Sequence, residues 1–116
     1  MRIHKVLVPT PWRYFNVPLY SGTILIYKDR NAFHKAIKSH GRTIVEDDSC
    51  GGRCVEIYKP GITHYVIGWF TRSRHTLVHE LGHAAIFVIT NAGMKIEDSG
   101  GEAYCYLLSH FYKETI

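Results

Sequence analysis

The chain has 116 residues, of which 46% are hydrophobic and 21% charged, with a net charge of +4. That length suits one domain, the apolar share supports a core without disulfides, and the composition excludes a disordered or low-complexity chain. The basic residues are scattered, so the excess is compatible with nucleic acid but forms no concentrated footprint for it.

Val6-Leu-Val8 reads as a short strand stopped by Pro9 and Pro11, and Trp12 to Tyr20 as an aromatic, irregular segment. Thr23 to Tyr27 is β-branched and short, which predicts a strand. Asn31 is placed to cap a helix over Ala32 to Ser39, with Gly41 as its stop. Thr43 to Glu46 and Arg53 to Tyr58 read as two strands of a hairpin around the turn residues 47 to 52. In the second of these, Cys54, Glu56 and Tyr58 share one side, and Val55 and Ile57 the other. Pro60-Gly61 fits the centre of a type II turn and leads into a strand over His64 to Phe70. Ser73 or Thr71 opens a helix over residues 74 to 90, ended near Asn91 and Gly93. After a loop, Ser99 opens a last helix reaching about Lys113. This order predicts an α+β fold, a small, mostly antiparallel sheet carrying an early helix and two late ones.

Three cysteines, an odd number, argue against a complete disulfide set and read as reduced thiols. No apolar run is long enough for a signal peptide or a membrane span, so the expected location is cytoplasmic.

The pattern that carries chemistry is His79-Glu80-Leu81-Gly82-His83, an H-E-x-x-H on the long helix. Residues four apart on a helix sit about 40° apart around the axis and one turn apart along it. Two imidazoles so placed can bind one zinc ion at ~2.0–2.1 Å each. Glu80 lies about 100° from His79, near the metal but angled off direct ligation. Its carboxylate is there to take a proton from a zinc-bound water. Leu77, Val78, Leu81 and residues 84 to 89 leave this helix almost no polar face, which predicts a buried helix. Buried imidazoles and a carboxylate then need a partner, and a divalent cation is one. Gly82 costs about 1 kcal/mol mid-helix, and close approach of another element is a reason to keep it.

A catalytic zinc takes three protein ligands and a water. Glu102 is the favoured third ligand, because residues 84 to 101 leave room for the helix to end and a second one to return. Glu97 and Asp98 are the other acids nearby. Ser99-Gly-Gly-Glu102 also matches a capping box, in which the glutamate would bond back to the cap. On the last helix Glu102 shares a face with Tyr106, Ser109 and Lys113, opposite Tyr104, Leu107, Leu108 and Phe111. His75 cannot join the other two imidazoles, since the three would span about 12 Å of helix; it is expected at the rim of the cleft. His4, His34, His40 and His64 read as structural or surface residues.

Residues 76 to 106, from Thr-Leu-Val-His-Glu-Leu-Gly-His to Gly-Gly-Glu-Ala-Tyr-Cys-Tyr, resemble the zincin metallopeptidases. They most resemble the gluzincin branch and its small single-domain minigluzincins. The match covers about the last third of the chain. The resemblance implies His79, His83 and Glu102 as zinc ligands, Glu80 as general base, and a peptide or protein substrate. It also implies that His64 to Phe70 is the edge strand along which a peptide lies. Apart from the resemblance, Tyr65, Trp69, Tyr106 and His110 are candidate substrate-binding residues, and core packing is the favoured reading of the strand aromatics. Larger gluzincins often place an acid where this chain has Tyr106, and take a Tyr or His for the oxyanion from a further domain. Tyr104, Tyr106, His75 and His110 are the residues available here. The alternative expectation is a zinc-stabilised binding module without turnover, with a protein or nucleic-acid partner.

Overall fold

A computed structural model describes residues 8–44 and 49–116, and the fold is α+β. Four strands, β1 (Arg13–Asn16), β2 (Thr23–Tyr27), β3 (Gly52–Lys59) and β4 (Ile62–Trp69), form one sheet in the order β1-β2-β4-β3. The pairs β1–β2 and β3–β4 are antiparallel, and β2–β4 is parallel, so the sheet is mixed. Helix α1 (Arg30–Ser39) covers one face. Helices α2 (Arg74–Asn91) and α3 (Glu102–Thr115) cover the other.

Alternation along the strands builds two cores. Ile24, Ile26, Tyr65, Ile67 and Trp69 pack on Leu77, Leu81, Ala84, Ala85 and Val88 of α2 and on Leu107 and Phe111 of α3. Tyr27, Val55, Ile57 and Val66 point the other way, onto Phe33, Ala36 and Ile37 of α1. The small residues Ala84 and Ala85, fully buried, let α2 lie close on the sheet. Among the described residues, no helix is long and apolar enough to cross a membrane.

Several expectations are corrected. The segment after Trp12 is not irregular throughout: Arg13–Asn16 pairs with β2, an assignment made by the partner strand rather than by local pattern. Val8 is in no strand, and Val6 and Leu7 lie outside the described residues. The cap of α1 is Asp29, whose carboxylate accepts the Ala32 N–H at 2.9 Å, two residues ahead of Asn31. Thr43 and Ile44 are not in a strand, and Val45 and Glu46 lie outside the described residues. β3 instead forms its hairpin with β4 across Pro60-Gly61, where Gly61 takes the φ of 79° that a type II turn requires. That pairing, with β2 on the other side, makes β4 an interior strand. The edge of the sheet beside α2 is β3. The expected capping box is absent: α3 begins at Glu102 with Gly101 as its N-cap and no side-chain cap, while Ser99 sits in a left-handed turn.

Candidate metal centre

Helix α2 presents its chemistry on adjoining flanks. Ser73 starts it, and the indole of Trp69 pins that start by donating to the Ser73 carbonyl at 2.7 Å. Helix α2 is not buried all round. It buries Leu77, Leu81, Ala84, Ala85 and Val88, and leaves Val78, His79 and His83 exposed. The Nε2 atoms of His79 and His83 are 3.2 Å apart, with the rings inclined at 79°. Two nitrogens on one tetrahedral zinc at ~2.0–2.1 Å would be separated by about 3.3 Å. The separation is the one that a shared ion requires. In the absence of an ion the same spacing lets one ring donate its N–H to the other.

Glu80 lies on the flank that meets β3 and is only 6% exposed. Burial raises its pKa, and the charges of His79, His83 and Arg53 draw it back down. A desolvated carboxylate beside two imidazoles is a better proton acceptor than a solvated one. The strand comes this close because position 52 has no side chain. A Cβ on Gly52 would lie 2.7 Å from Thr76 Cγ2, 2.9 Å from the Gly68 carbonyl oxygen and 3.1 Å from Glu80 Cγ. Gly52→Ala is expected to cost about 1–3 kcal/mol of stability through that crowding. Thermal unfolding measures it, and an unchanged midpoint would show that β3 does not press on α2.

On the adjoining flank, away from β3, α2 and α3 border a groove of about 380 Å³ lined by His75, His79, Gly82, His83, Tyr104 and Leu108, among others, but not by Glu80. The Tyr104 hydroxyl would stand 3.1 Å from a Cβ at Gly82, so the phenol rests on the helix beside the imidazoles. This is the close approach expected from the mid-helix glycine. His75, the second residue of α2, lines the groove.

The other expected residues are not gathered here. Glu102 is exposed at the first position of α3 and does not line the groove; two residues on from it, Tyr104 faces about 200° away around that helix. Among the described residues, no three His, Cys, Asp or Glu side chains converge as a metal-binding group. Asp98 is engaged, accepting the Lys95 N–H at 3.0 Å. Tyr106 stacks on His110 with centroids 6.2 Å apart, and His110 lies 3.9 Å from Glu114, along α3 and outside the groove. Tyr65 and Trp69 are 1% and 8% exposed and belong to the core, because β4 is flanked on both sides.

Cys54 escaped notice as a neighbour of the site. Burial pushes its thiol pKa up, and the Glu80 and Glu56 carboxylates push it further. The shared side of Cys54 and Glu56 was visible in the strand alternation, but nothing local said that Glu80 would face it. Comparison with known proteins finds no family model, no curated protein and no solved structure that matches the chain.

Proposed function

We propose that the chain is a zinc-dependent peptidase. The observation that carries this is the convergence of the His79 and His83 Nε2 atoms at the separation one tetrahedral ion requires, beside a buried carboxylate. In this reading His79 and His83 hold the ion. Glu102 is the third ligand, an assignment carried by the motif rather than by the geometry. Zinc, when bound, supplies a Lewis acid that polarises the peptide carbonyl and lowers the pKa of water.

Every other step belongs to the chain. Glu80 accepts the proton of the attacking water and passes it to the leaving amine. The Tyr104 hydroxyl, which has no acceptor among the described residues, donates to the oxygen that gains negative charge. An extended peptide lies along β3, the last strand in the sheet order among the described residues, which begins at Gly52 against Glu80. The thiols of Cys50, Cys54 and Cys105 are unpaired, which suits a reducing compartment such as the cytoplasm.

One observation favours a second reading, a binding module without turnover: among the described residues, the third protein ligand that a catalytic zinc takes does not converge with the imidazoles. A mixed peptide library incubated with the zinc-loaded protein, with and without chelator, separates the two. Chelator-sensitive cleavage is expected. Cleavage of no sequence would leave the binding module standing.

A further inference from the structure

A second concavity among the described residues lies away from the imidazoles. It is an open trough of about 1020 Å³ at the hairpin end of the sheet, walled by the Leu19–Gly22 loop and by Asn91 and Ala92 at the end of α2. Tyr58, Thr23, Thr63 and Tyr65 contribute to its lining from the strands.

The wall is built rather than incidental. Val17 N–H donates to the Gly22 carbonyl at 2.9 Å, closing the loop, and Tyr20 reaches Met94 sulfur at 3.6 Å, tying it to the end of α2. Gly22, at φ 126°, lies so close to Tyr65 that a Cβ there would stand 2.7 Å from the ring. At the lip, Leu19 holds a left-handed φ of 67° while 85% exposed. A leucine in this conformation is held by the closed loop around it, and such residues cluster at ligand clamps. Tyr58, 74% exposed, forms the lip on the β3 side.

The lining sets the ligand's chemistry. Among the described residues it contains no Asp, Glu, Lys or Arg and a single histidine, His64, and the nearby Glu56 carboxylate is taken up by Asn91, so hydroxyl and amide groups dominate the lining. Asn91 donates its amide N–H2 to the Glu56 carboxylate and, at 2.9 Å, to the Tyr65 oxygen. A carboxylate only accepts, so the amide orientation is settled. Asn91, exposed at the end of α2, keeps its Oδ1 as an acceptor, and Ser21 and Thr63 add hydroxyl donors to the lining. Donors and acceptors in one lining complement amide groups, and the Leu19 and Tyr58 lip covers apolar side chains. That is the chemistry of an uncharged peptide segment.

Position connects the trough to the site. β3 begins at Gly52 against Glu80 and reaches the trough at Tyr58, six residues on, about 20 Å at ~3.3 Å per residue. We infer that the trough is a distal peptide-binding site, taking an uncharged segment about six residues from the bond presented to Glu80. This rests on the peptidase reading for the link between the two sites, though not for the trough itself.

The test uses the zinc-loaded Glu80→Gln chain and fluorescein-labelled uncharged peptides of about twelve and about six residues, with binding read by polarisation. The longer peptide is expected to bind at least about 10-fold tighter. Tyr58→Ser and Leu19→Gly, both at exposed positions, should each remove most of that difference. A long peptide with lysines or glutamates at its distal end should bind like the short one. Equal affinity for both lengths, or length dependence untouched by both substitutions, would overturn the inference. Length-dependent binding that Tyr58→Ser abolishes, in a wild-type chain that cleaves no peptide, would keep the trough and remove the peptidase reading.

Discussion

Glu80→Gln is expected to lower peptide hydrolysis by about 10²- to 10⁴-fold while leaving zinc content unchanged. The carboxamide keeps the shape and loses the lone pair that takes the proton. Its effect on the fold should run the other way. Glu80 is buried against β3, and burial raises its pKa, so the charged form is the poorly tolerated one there. Glutamine removes that charge, and the metal-free variant should unfold at the same temperature as wild type or higher. This combination distinguishes a base from a structural residue, whose replacement would lower activity and stability together. Tyr104→Phe is the companion: it should lower the catalytic rate with little effect on zinc content. Undiminished turnover in Glu80→Gln would sink the assignment of the base.

Zinc itself should stabilise the fold, and through two residues above all. An ion bound only by the folded chain contributes about 2.7 kcal/mol at a concentration 100-fold above its Kd. For a chain of this length that is a rise in unfolding midpoint of roughly 10 °C. His79→Ala or His83→Ala should abolish the rise, because each leaves a single imidazole on α2 and the grip depends on the Nε2 pair. Glu102→Ala decides a narrower point. Loss of the rise would place Glu102 at the ion in the loaded protein; retention would show a two-imidazole site completed by something else. Differential scanning calorimetry with and without zinc, alongside metal content per chain, reads all three. A wild-type chain whose midpoint ignores zinc would remove the metal centre altogether.

What could be read in advance was what short-range geometry controls. The 3.6-residue period of a helix is sufficient to place His79 beside His83, whatever the rest of the chain does. Helix α2 ends one residue beyond its expected limit because Asn91 and the φ-positive Gly93 are local stops. Pro60-Gly61 makes its turn for reasons contained in two residues. Contacts between residues distant in the chain were a different matter. Whether the strand of Tyr65 and Trp69 lay at an edge depended on β2 pairing with it from some forty positions away; the parallel pairing made the expected edge strand an interior one and left both aromatics in the core, the favoured reading of the two. β1 exists because β2 offers its edge, not because Arg13–Asn16 is a strong strand former. Glu102 could be assigned by sequence to a helix start and to the face opposite Tyr104, Leu107 and Phe111, but whether that face met solvent or the cleft depended on how α3 docks. That docking put Tyr104, not Glu102, over Gly82. The local chain thus determined the paired imidazoles and their neighbouring carboxylate. Only tertiary packing decided which strand, which tyrosine and which glycine stand around them, because each is positioned by burial against a partner remote in sequence.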